Sequence, residues 1–338
     1  MDNNFKFWNN KKCIVTGGMG FGGSHLVEQL VKKGAVIYVL DRLVPQNSYL
    51  VLSGMVDKIQ YINGDIRDTN LIRMLLENYK IDYIFHLAAQ PDVPLSNAMP
   101  YETLSINVMG TYSVLEAVRC CSVPPVLIFA SSGAYYGTTT QSALIKENQA
   151  PNIATNIYAP SKIAGDFAVR CYVRTYGIKA GLCRFINTYG PGNTNFGTIV
   201  PRAITLLIEG MPYDFGDRDD GSSVFDYLHI DDMTRGYIAV AQNIERINGE
   251  AFNFSGGQAI SVRELVKMIS RLYDGKEREP VFHGVRREVP VSKLLDCSRA
   301  EQILGWHPSL ILEQGLTQTI RWYKQFWPKL TMKAENGY

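Results

Sequence analysis

The sequence of 338 residues lacks several features that mark whole classes of protein. Its six cysteines are scattered, without the short paired spacings of a zinc site or a redox motif. No apolar run approaches the roughly 20 residues needed to cross a bilayer, and the amino-terminal stretch MDNNFKFWNNKK is polar. The 34 basic and 32 acidic side chains nearly balance, so there is no electrostatic footprint for nucleic acid or an anionic membrane. We therefore expect a cytoplasmic protein with reduced core cysteines, no metal centre and no nucleic-acid or membrane partner.

The first half of the chain alternates short apolar runs with longer amphipathic stretches. The 46% of hydrophobic residues can fill a sizeable core, and the length allows one large or two modest domains. The periodicity predicts strands at 13–16, 35–40, 59–62, 83–87 and 126–130, and helices at 24–33, 69–78, 108–120 and 158–176. Strands and helices in alternation are typical of a parallel sheet covered on both faces. The sequence therefore predicts a doubly wound α/β domain of the Rossmann type.

The pattern becomes less regular after about residue 185. Segments rich in Gly, Asn, Asp and Pro surround predicted helices at 200–209, 262–273 and 312–326. We expect residues 1–185 to form the sheet domain. Residues 186–330 are expected to form mainly a smaller α/β substrate-binding portion, with some chain crossing back, and residues 331–338 a tail.

A glycine-rich turn, TGGMGFGGSHL, lies between the first predicted strand and the first predicted helix. Gly17, Gly20 and Gly23 would allow a tight turn, close approach to a pyrophosphate and close packing of the helix on the strand. Asp41 ends the second strand, where a carboxylate accepts hydrogen bonds from an adenosine ribose and repels a 2′-phosphate. Arg42 could instead bind that phosphate through its positive charge. The pattern predicts that residues 1–185 bind NAD, with NADP the less favoured cofactor.

The third strand is followed by NGDIRD, which supplies two further candidates for cofactor binding. Asp65 could reach the adenine with its carboxylate, and Ile66 could pack on the ring.

Tyr158 and Lys162 are four residues apart in a predicted helix, so they share one face. An ammonium near a phenol favours the phenolate and would lower the tyrosine pKa from about 10. Ser132 follows a strand at the edge of the sheet where ligands bind, and it could share a substrate hydroxyl with Tyr158. The three residues indicate hydride transfer coupled to proton transfer.

Taken together, the motifs resemble the nucleotide-sugar epimerase and dehydratase branch of the extended short-chain dehydrogenases/reductases. The resemblance covers almost the whole chain. It is carried by TGGMGFGGSHL, GDIRD, HLAAQ, NVMGT, SSGAYYG, YAPSK, RFINTYGPG, DYLHIDD and LGWHP. It implies a bound NAD, a nucleotide-diphosphate sugar that is oxidised transiently at carbon 4, and a homodimer.

The resemblance also assigns roles to individual residues. Tyr158 is similar to the family's catalytic base, Lys162 to the residue that holds the nicotinamide ribose, and Ser132 to the partner hydroxyl. The further cofactor-binding candidates are Phe21, Leu87, Ala88, Ala89 and Asn107. The further substrate-binding candidates are Gln90, Asn187, Asn195, Val200 and one of Arg286 and Arg287. His86 is as compatible with a structural role at the strand end as with cofactor contact.

Two departures from the family pattern bear on the reaction. Gly133 and Ala134 stand where 4,6-dehydratases carry acidic or basic residues, and neither can transfer a proton. Phe225 stands where many relatives carry an arginine for the substrate phosphates, and Thr198 stands where similar dehydratases often place arginine. We therefore expect an epimerase acting at carbon 4. A 4,6-dehydratase with displaced acid and base residues is the alternative, followed by a non-catalytic dinucleotide-binding regulator.

Overall fold

A computed structural model describes residues 3–139, 143–217, 219–285 and 291–331 of the chain. Within those ranges, no helix combines the length and the apolarity that crossing a membrane requires. The strands, in chain order, are β1 (Lys12–Thr16), β2 (Val36–Asp41), β3 (Gln60–Asn63), β4 (Tyr83–His86), β5 (Val126–Ser132), β6 (Ala180–Phe185), β7 (Thr188–Tyr189), β8 (Val224–Asp226), β9 (Leu228–His229), β10 (Ala251–Phe254), β11 (Ala259–Ser261) and β12 (Ser292–Lys293).

Helices separate most of these strands. The α-helices are α1 (Asn3–Trp8), α2 (Phe21–Lys32), α3 (Tyr49–Leu52), α4 (Thr69–Tyr79), α5 (Val93–Ala98), α6 (Pro100–Leu104), α7 (Gly110–Arg119), α8 (Tyr158–Tyr176), α9 (Ile199–Ile208), α10 (Ile230–Gln242), α11 (Ile244–Ile247), α12 (Val262–Asp274), α13 (Ser298–Leu304) and α14 (Leu312–Thr331). Single turns of 3₁₀-helix lie at Val56–Lys58 and Gly133–Tyr136, and a π-helical turn at Ser105–Met109 leads into α7.

The main sheet has seven parallel strands in the order β10, β6, β5, β4, β1, β2, β3. The chain moves outward from β1 through β2 and β3, and then returns to β4 on the other side of β1. The strand order therefore reverses between β1 and β4, and ligands of open α/β sheets bind at the carboxyl ends of the strands at such a point. The predicted doubly wound parallel sheet is confirmed.

Both faces of the sheet are buried, as the continuous apolar strands predict. Cys13 and Val15 of β1 point into one core with Leu26 of α2, whereas Ile14 points into a second core with Leu115 of α7. Successive side chains of a strand face opposite sides, so a strand covered on both faces needs apolar residues without alternation.

The second half of the chain builds a smaller layer and also completes the main sheet. Strands β8, β11 and β12 form a three-stranded sheet, and α9, α12 and α14 share a third core around Val200, Leu265 and Leu316. Strand β10 pairs with β6 as the edge of the main sheet, and α10 packs on β6. The division at about residue 185 stays a prediction, and residues 332–338 of the predicted tail lie outside the described residues.

Several local predictions need correction. Helix α2 begins at Phe21, earlier than the predicted residue 24, and β5 continues through Ser132. The predicted helix at 108–120 begins as a π-helical turn, and β6 and β10 were not predicted. Cys120 and Cys171 are exposed, so the expectation of six core cysteines is wrong for these two.

Candidate active site

The glycine-rich turn between β1 and α2 is shaped by the absence of side chains. Gly17 has a φ of 70°, which glycine adopts without strain, and a Cβ atom there would lie 2.7 Å from the Ala88 Cα. A Cβ atom on Gly23 would collide with the Gly17 carbonyl oxygen. The Gly20 amide closes the turn by donating to the same oxygen over 3.1 Å. Because the first N–H groups of α2 have no partner within the helix and face this turn, the turn fits the pyrophosphate of a dinucleotide.

Asp41, the last residue of β2, is hydrogen-bonded through its carboxylate to the glycine turn. It accepts hydrogen bonds from the Met19 amide (3.0 Å) and from the Arg42 amide (2.8 Å). Burial raises the pKa of Asp41 above its ordinary value even though these amides oppose the shift. Arg42 is exposed. The predicted ribose-binding carboxylate therefore lies beside the turn at the end of β2.

The segment after β3 also reaches this edge of the sheet. Asp65 forms a two-pronged salt bridge with Arg67, which lowers the pKa of the Asp65 carboxyl. Ile66 is buried against Gly110, where a Cβ atom would lie 2.5 Å from the Ile66 Cδ1. Asp65 is thus already paired, and Ile66 packs on the start of α7.

The loop after β4 carries Leu87, Ala88 and Ala89, which are partly exposed beside the glycine turn. Asn107, in the π-helical turn, holds this loop: its Oδ1 accepts from the Gln90 amide (2.7 Å) and its Nδ2 donates to the Gln90 carbonyl (3.0 Å). The Gln90 side chain donates to Asp92 O and Thr103 Oγ1. The side chains of Gln90 and Asn107 are therefore engaged in shaping the loop.

His86 occupies the end of β4 and is buried. Its Nδ1 lies 2.8 Å from Thr16 Oγ1, and its Nε2 lies 3.2 Å from Thr111 Oγ1. Because Thr111 Oγ1 donates to the Asn107 carbonyl, it accepts from His86 Nε2, which assigns the neutral tautomer. Burial lowers the pKa of His86 to about 3. Both ring nitrogens of His86 are therefore engaged in hydrogen bonds within the protein, which favours the structural role over cofactor contact.

Ser132 and Tyr158 meet where β5 ends and α8 begins. The Tyr158 amide donates to Ser96 Oγ over 3.2 Å, which ties the start of α8 to α5. Burial raises the pKa of Tyr158, and an interaction with the Ser132 hydroxyl lowers it by less. Ser132 Oγ also accepts from the Ala134 amide (3.0 Å). The two hydroxyl groups therefore form one cluster at the carboxyl edge of the sheet.

Lys162 lies on the same helical face as Tyr158, as their spacing predicts, but it contacts the strand. Its Nζ donates to the Ala130 carbonyl over 2.9 Å and lies 5.4 Å from the centre of the Phe129 ring. Burial lowers the pKa of Lys162 to about 8. The expectation that Lys162 lowers the pKa of Tyr158 is not met by these contacts, because burial sets the direction of the shift for Tyr158.

An ion pair that the sequence analysis did not predict contacts both sides of the segment that contains Ser132. Arg184 of β6 and Asp166 of α8 are fully buried and paired through two hydrogen bonds of 2.9 Å. Ser131 Oγ donates to Asp166 (2.6 Å), and Arg184 donates to the Tyr136 hydroxyl (2.8 Å). Arg184 also lies 3.6 Å from the centre of the Tyr135 ring. The one signal in the sequence was a charged residue inside an apolar run, GLCRF.

A cavity of about 490 Å³ opens in the second half of the chain, and its lining begins at Asn187, just after the end of β6. Asn187, Val200 and Phe225 line it, as do the stacked rings of Phe215 and Phe282. Asn187 adopts a φ of 36° and donates to the Asp226 carbonyl.

The remaining candidates are Asn195, Arg286 and Arg287 for the substrate and Phe21 for the cofactor. Asn195 and Phe21, the two among them that the structure describes, do not line this cavity. The Asn195 Nδ2 donates to Asp92 Oδ2 over 3.1 Å. Phe21, half-buried at the start of α2, packs edge-on against His25. Arg286 and Arg287 lie outside the described residues.

The chain is similar along nearly its full length to epimerases and to dehydratases. It is 32% identical to the UDP-glucose 4-epimerase of Mycolicibacterium smegmatis, over 93% of this chain and 98% of that protein. A solved epimerase structure from Methanothermobacter thermautotrophicus superposes with a TM-score of 0.87 at 26% identity, covering 97% of this chain and 96% of that one. DesIV, a dTDP-glucose 4,6-dehydratase from Streptomyces venezuelae solved with NAD and TYD bound, gives a TM-score of 0.83 at 29% identity over 95% and 100%.

The family model for GDP-mannose 4,6 dehydratase matches residues 14–319. This match and the relatives on both sides of the epimerase–dehydratase division confirm the resemblance that the motifs indicated. The chain belongs to the GDP-mannose 4,6-dehydratase-like family of nucleotide-sugar epimerases and dehydratases within the short-chain dehydrogenases/reductases.

Proposed function

We propose that the protein is an NAD-dependent epimerase that inverts carbon 4 of the hexose in a nucleotide-diphosphate sugar. The segment after Ser132 carries this choice. Gly133 and Ala134 have no titratable group, and Tyr136 hydrogen-bonds to Arg184 and Asn253. Elimination of water needs an acid and a base near carbons 5 and 6. Epimerisation at carbon 4 needs no acid or base near carbons 5 and 6, so a segment without titratable groups at positions 133 and 134 is compatible with it.

The residues around the glycine turn would hold the cofactor. Gly17, Gly20 and Gly23 would form the pyrophosphate-binding turn, whose shape excludes a side chain at position 17 or 23 because a Cβ atom there would collide with the backbone of Ala88 or Gly17. Asp41, at the end of β2, favours the ribose of NAD over the phosphate of NADP. Phe21, Asp65, Ile66 and residues 87–89 border the same edge of the sheet, and we retain them, with Asn107, as candidate cofactor-binding residues.

The chemistry falls to three side chains. When bound, NAD supplies a positively charged ring that accepts a hydride reversibly. Tyr158 takes the proton of the carbon-4 hydroxyl and later returns it, and Ser132 orients that hydroxyl. Burial holds the pKa of Tyr158 high, so a nearby positive charge is needed to make the phenol a base near neutrality. Lys162, whose Nζ donates to the Ala130 carbonyl, is the buried cation that we propose as the source of this charge.

A 4,6-dehydratase is the second candidate, favoured by the family match and by relatives such as DesIV. It would require an acid and a base from a segment other than 133–136. A regulator without catalysis is the third candidate, and the presence of Ser132, Tyr158 and Lys162 together argues against it.

The reaction can be assigned by incubating the protein with UDP-, CDP-, GDP- and dTDP-hexoses in deuterium oxide and following the products by NMR. We expect the carbon-4 epimer, without added reductant and without deuterium in the sugar. Deuterium at carbon 5 together with a 4-keto-6-deoxy product would assign the dehydratase instead. The absence of turnover with every sugar nucleotide would favour the regulator.

We also propose that the protein is a cytoplasmic homodimer. Met109 precedes α7, Tyr112 lies on it and Phe167 lies on α8; all three are exposed, and an apolar face of this kind would be covered by a second copy. Sedimentation velocity would then give twice the mass of 37.9 kDa.

A further inference from the structure

Lys293 lies directly beside Phe225 in the smaller sheet. Strands β12 and β8 run parallel, with Lys293 opposite Phe225, and the Val224 amide donates to the Val291 carbonyl over 2.8 Å. Residues paired in this way project from the same face of a sheet. Because Phe225 lines the 490 Å³ cavity, the Lys293 side chain leaves the sheet on the side of that cavity.

The side chain of Lys293 is partly buried, and its ammonium has no partner among the residues that the structure describes. Within the parts of the chain that the structure describes, it makes no hydrogen bond and no ion pair. Lys267, by contrast, pairs with Glu279 over 2.6 Å. Burial lowers the pKa of Lys293 to about 8, and no carboxylate opposes that shift. A partly buried, unpaired ammonium is unfavourable, and an anionic ligand would relieve it.

Strand β12 lies between the loop after the Ser132 segment, where the hexose is proposed to bind, and strand β8 at the cavity, where the nucleoside is proposed to bind. The Ser292 amide donates to the Thr139 carbonyl over 3.0 Å, so β12 adjoins the loop that follows the Ser132 segment. On its other side β12 adjoins β8, whose Phe225 faces the cavity. A substrate with its nucleoside in the cavity and its hexose at Ser132 and Tyr158 would pass its diphosphate near β12.

We infer that the ammonium of Lys293 binds the diphosphate of the substrate, an inference that rests on the nucleotide-sugar function proposed above. Arg202 itself lines the cavity, and its Nη2 donates to the Asp214 carbonyl over 3.0 Å. Asp217 and Asp219 line the same cavity and reduce the positive potential there. Lys293 lies on a strand that adjoins both β8, whose Phe225 lines the cavity, and the loop after the Ser132 segment. Phe225 supplies no charge, so the charge comes from the neighbouring strand.

The test compares Lys293→Met, Lys293→Arg and the wild type by calorimetric titration with UDP, CDP, GDP and dTDP and with the corresponding nucleosides. For the diphosphate that the wild type binds best, Lys293→Met should raise Kd by about 10- to 100-fold, as expected for loss of a charged hydrogen bond. Binding of the nucleoside should not change, and Lys293→Arg should stay within a few-fold of the wild type. Lys179→Met is the matched control because Lys179 is exposed and directly precedes β6, at the end of the sheet away from the candidate site.

The outcomes separate this inference from the proposed function. If the wild type binds a diphosphate and Lys293→Met binds it equally well, the inference is overturned while the function stands. An equal loss of nucleoside binding would also overturn it, since the substitution would then act on the cavity as a whole. Failure of the wild type to bind any of the four diphosphates would remove both proposals.

Discussion

At the scale of single residues, the candidate site rests on positions that local patterns define well. Ser132 follows an apolar strand, and Tyr158 and Lys162 have helical spacing, so their meeting at one edge of the sheet follows from the parallel topology. The direction of the Tyr158 pKa shift was not predictable. It is set by burial, which depends on how distant parts of the chain pack around Tyr158.

Removing the phenolic hydroxyl should remove proton transfer but leave binding intact. We expect Tyr158→Phe to lower kcat by about 10²- to 10⁴-fold, the usual contribution of general acid–base catalysis. Kd for the cofactor and for the nucleotide sugar should stay within a few-fold of the wild type. Steady-state kinetics and calorimetry measure the two effects separately.

Tyr176→Phe provides the control, because Tyr176 is an exposed tyrosine at the end of the same helix. A Tyr158→Phe protein that turns over at the wild-type rate would assign the proton transfer to another group. A protein that has lost cofactor affinity in proportion to kcat would instead make Tyr158 a binding residue.

At the scale of helices and strands, the two strands of the main sheet that escaped prediction each contain a buried polar residue. Strand β6 contains Arg184, and β10 contains Asn253; both side chains are fully buried. Periodicity treats a charged or amide side chain as a break in an apolar run. These side chains are tolerated because Asp166 and Tyr136 neutralise or bind them, and such partners are invisible in the local sequence.

The ion pair of Asp166 and Arg184 predicts an asymmetric double-mutant cycle. Asp166→Leu leaves the buried guanidinium of Arg184 without a counter-charge and should cost about 3–5 kcal/mol of unfolding free energy. Arg184→Met should cost less, because Arg170 remains 3.2 Å from Asp166. The double variant should cost less than the sum, with a coupling above about 1 kcal/mol. Urea unfolding of the four proteins measures these differences.

The exposed pair of Lys179 and Glu245 is the matched control. Its charges face solvent, so the same cycle there should give a coupling below about 1 kcal/mol. Equal couplings for the two pairs would mean that burial adds nothing to the Asp166 and Arg184 interaction.

At the scale of the whole molecule, the two halves are held together by contacts that no single segment reveals. His25 of α2 stacks on Tyr49 with ring centres 3.7 Å apart, and its Nε2 donates to the Pro191 carbonyl over 2.8 Å. Composition and alternation predicted a sheet domain and a smaller second portion. They did not predict this junction, because it joins residues far apart in the chain.

Two buried histidines predict a loss of stability in mild acid. Burial lowers the pKa of His25 to about 4 and that of His86 to about 3, whereas an unfolded histidine titrates near 6.5. The unfolded chain therefore binds more protons as the pH falls below 6.5, and the unfolding free energy decreases. Between pH 7 and pH 5 each histidine should account for about 2 kcal/mol.

Denaturant unfolding at the two pH values measures this loss. His25→Gln and His86→Gln should each reduce the difference between pH 7 and pH 5 by about 2 kcal/mol, whatever their effect at pH 7. His307→Gln, at an exposed position, should leave the difference unchanged. If neither buried variant alters the difference, other groups govern the acid sensitivity.

The late arrival of strand β10 has a consequence for biosynthesis. The strand that borders the sheet next to β6 ends at Phe254, so a ribosome has to synthesise the whole stretch from Ile186 onward before β6 gains its neighbour. Until then, the N–H and C=O groups along the open side of β6 are free to pair with another nascent chain. Chaperone engagement is therefore expected to be greatest while this intervening stretch is being translated.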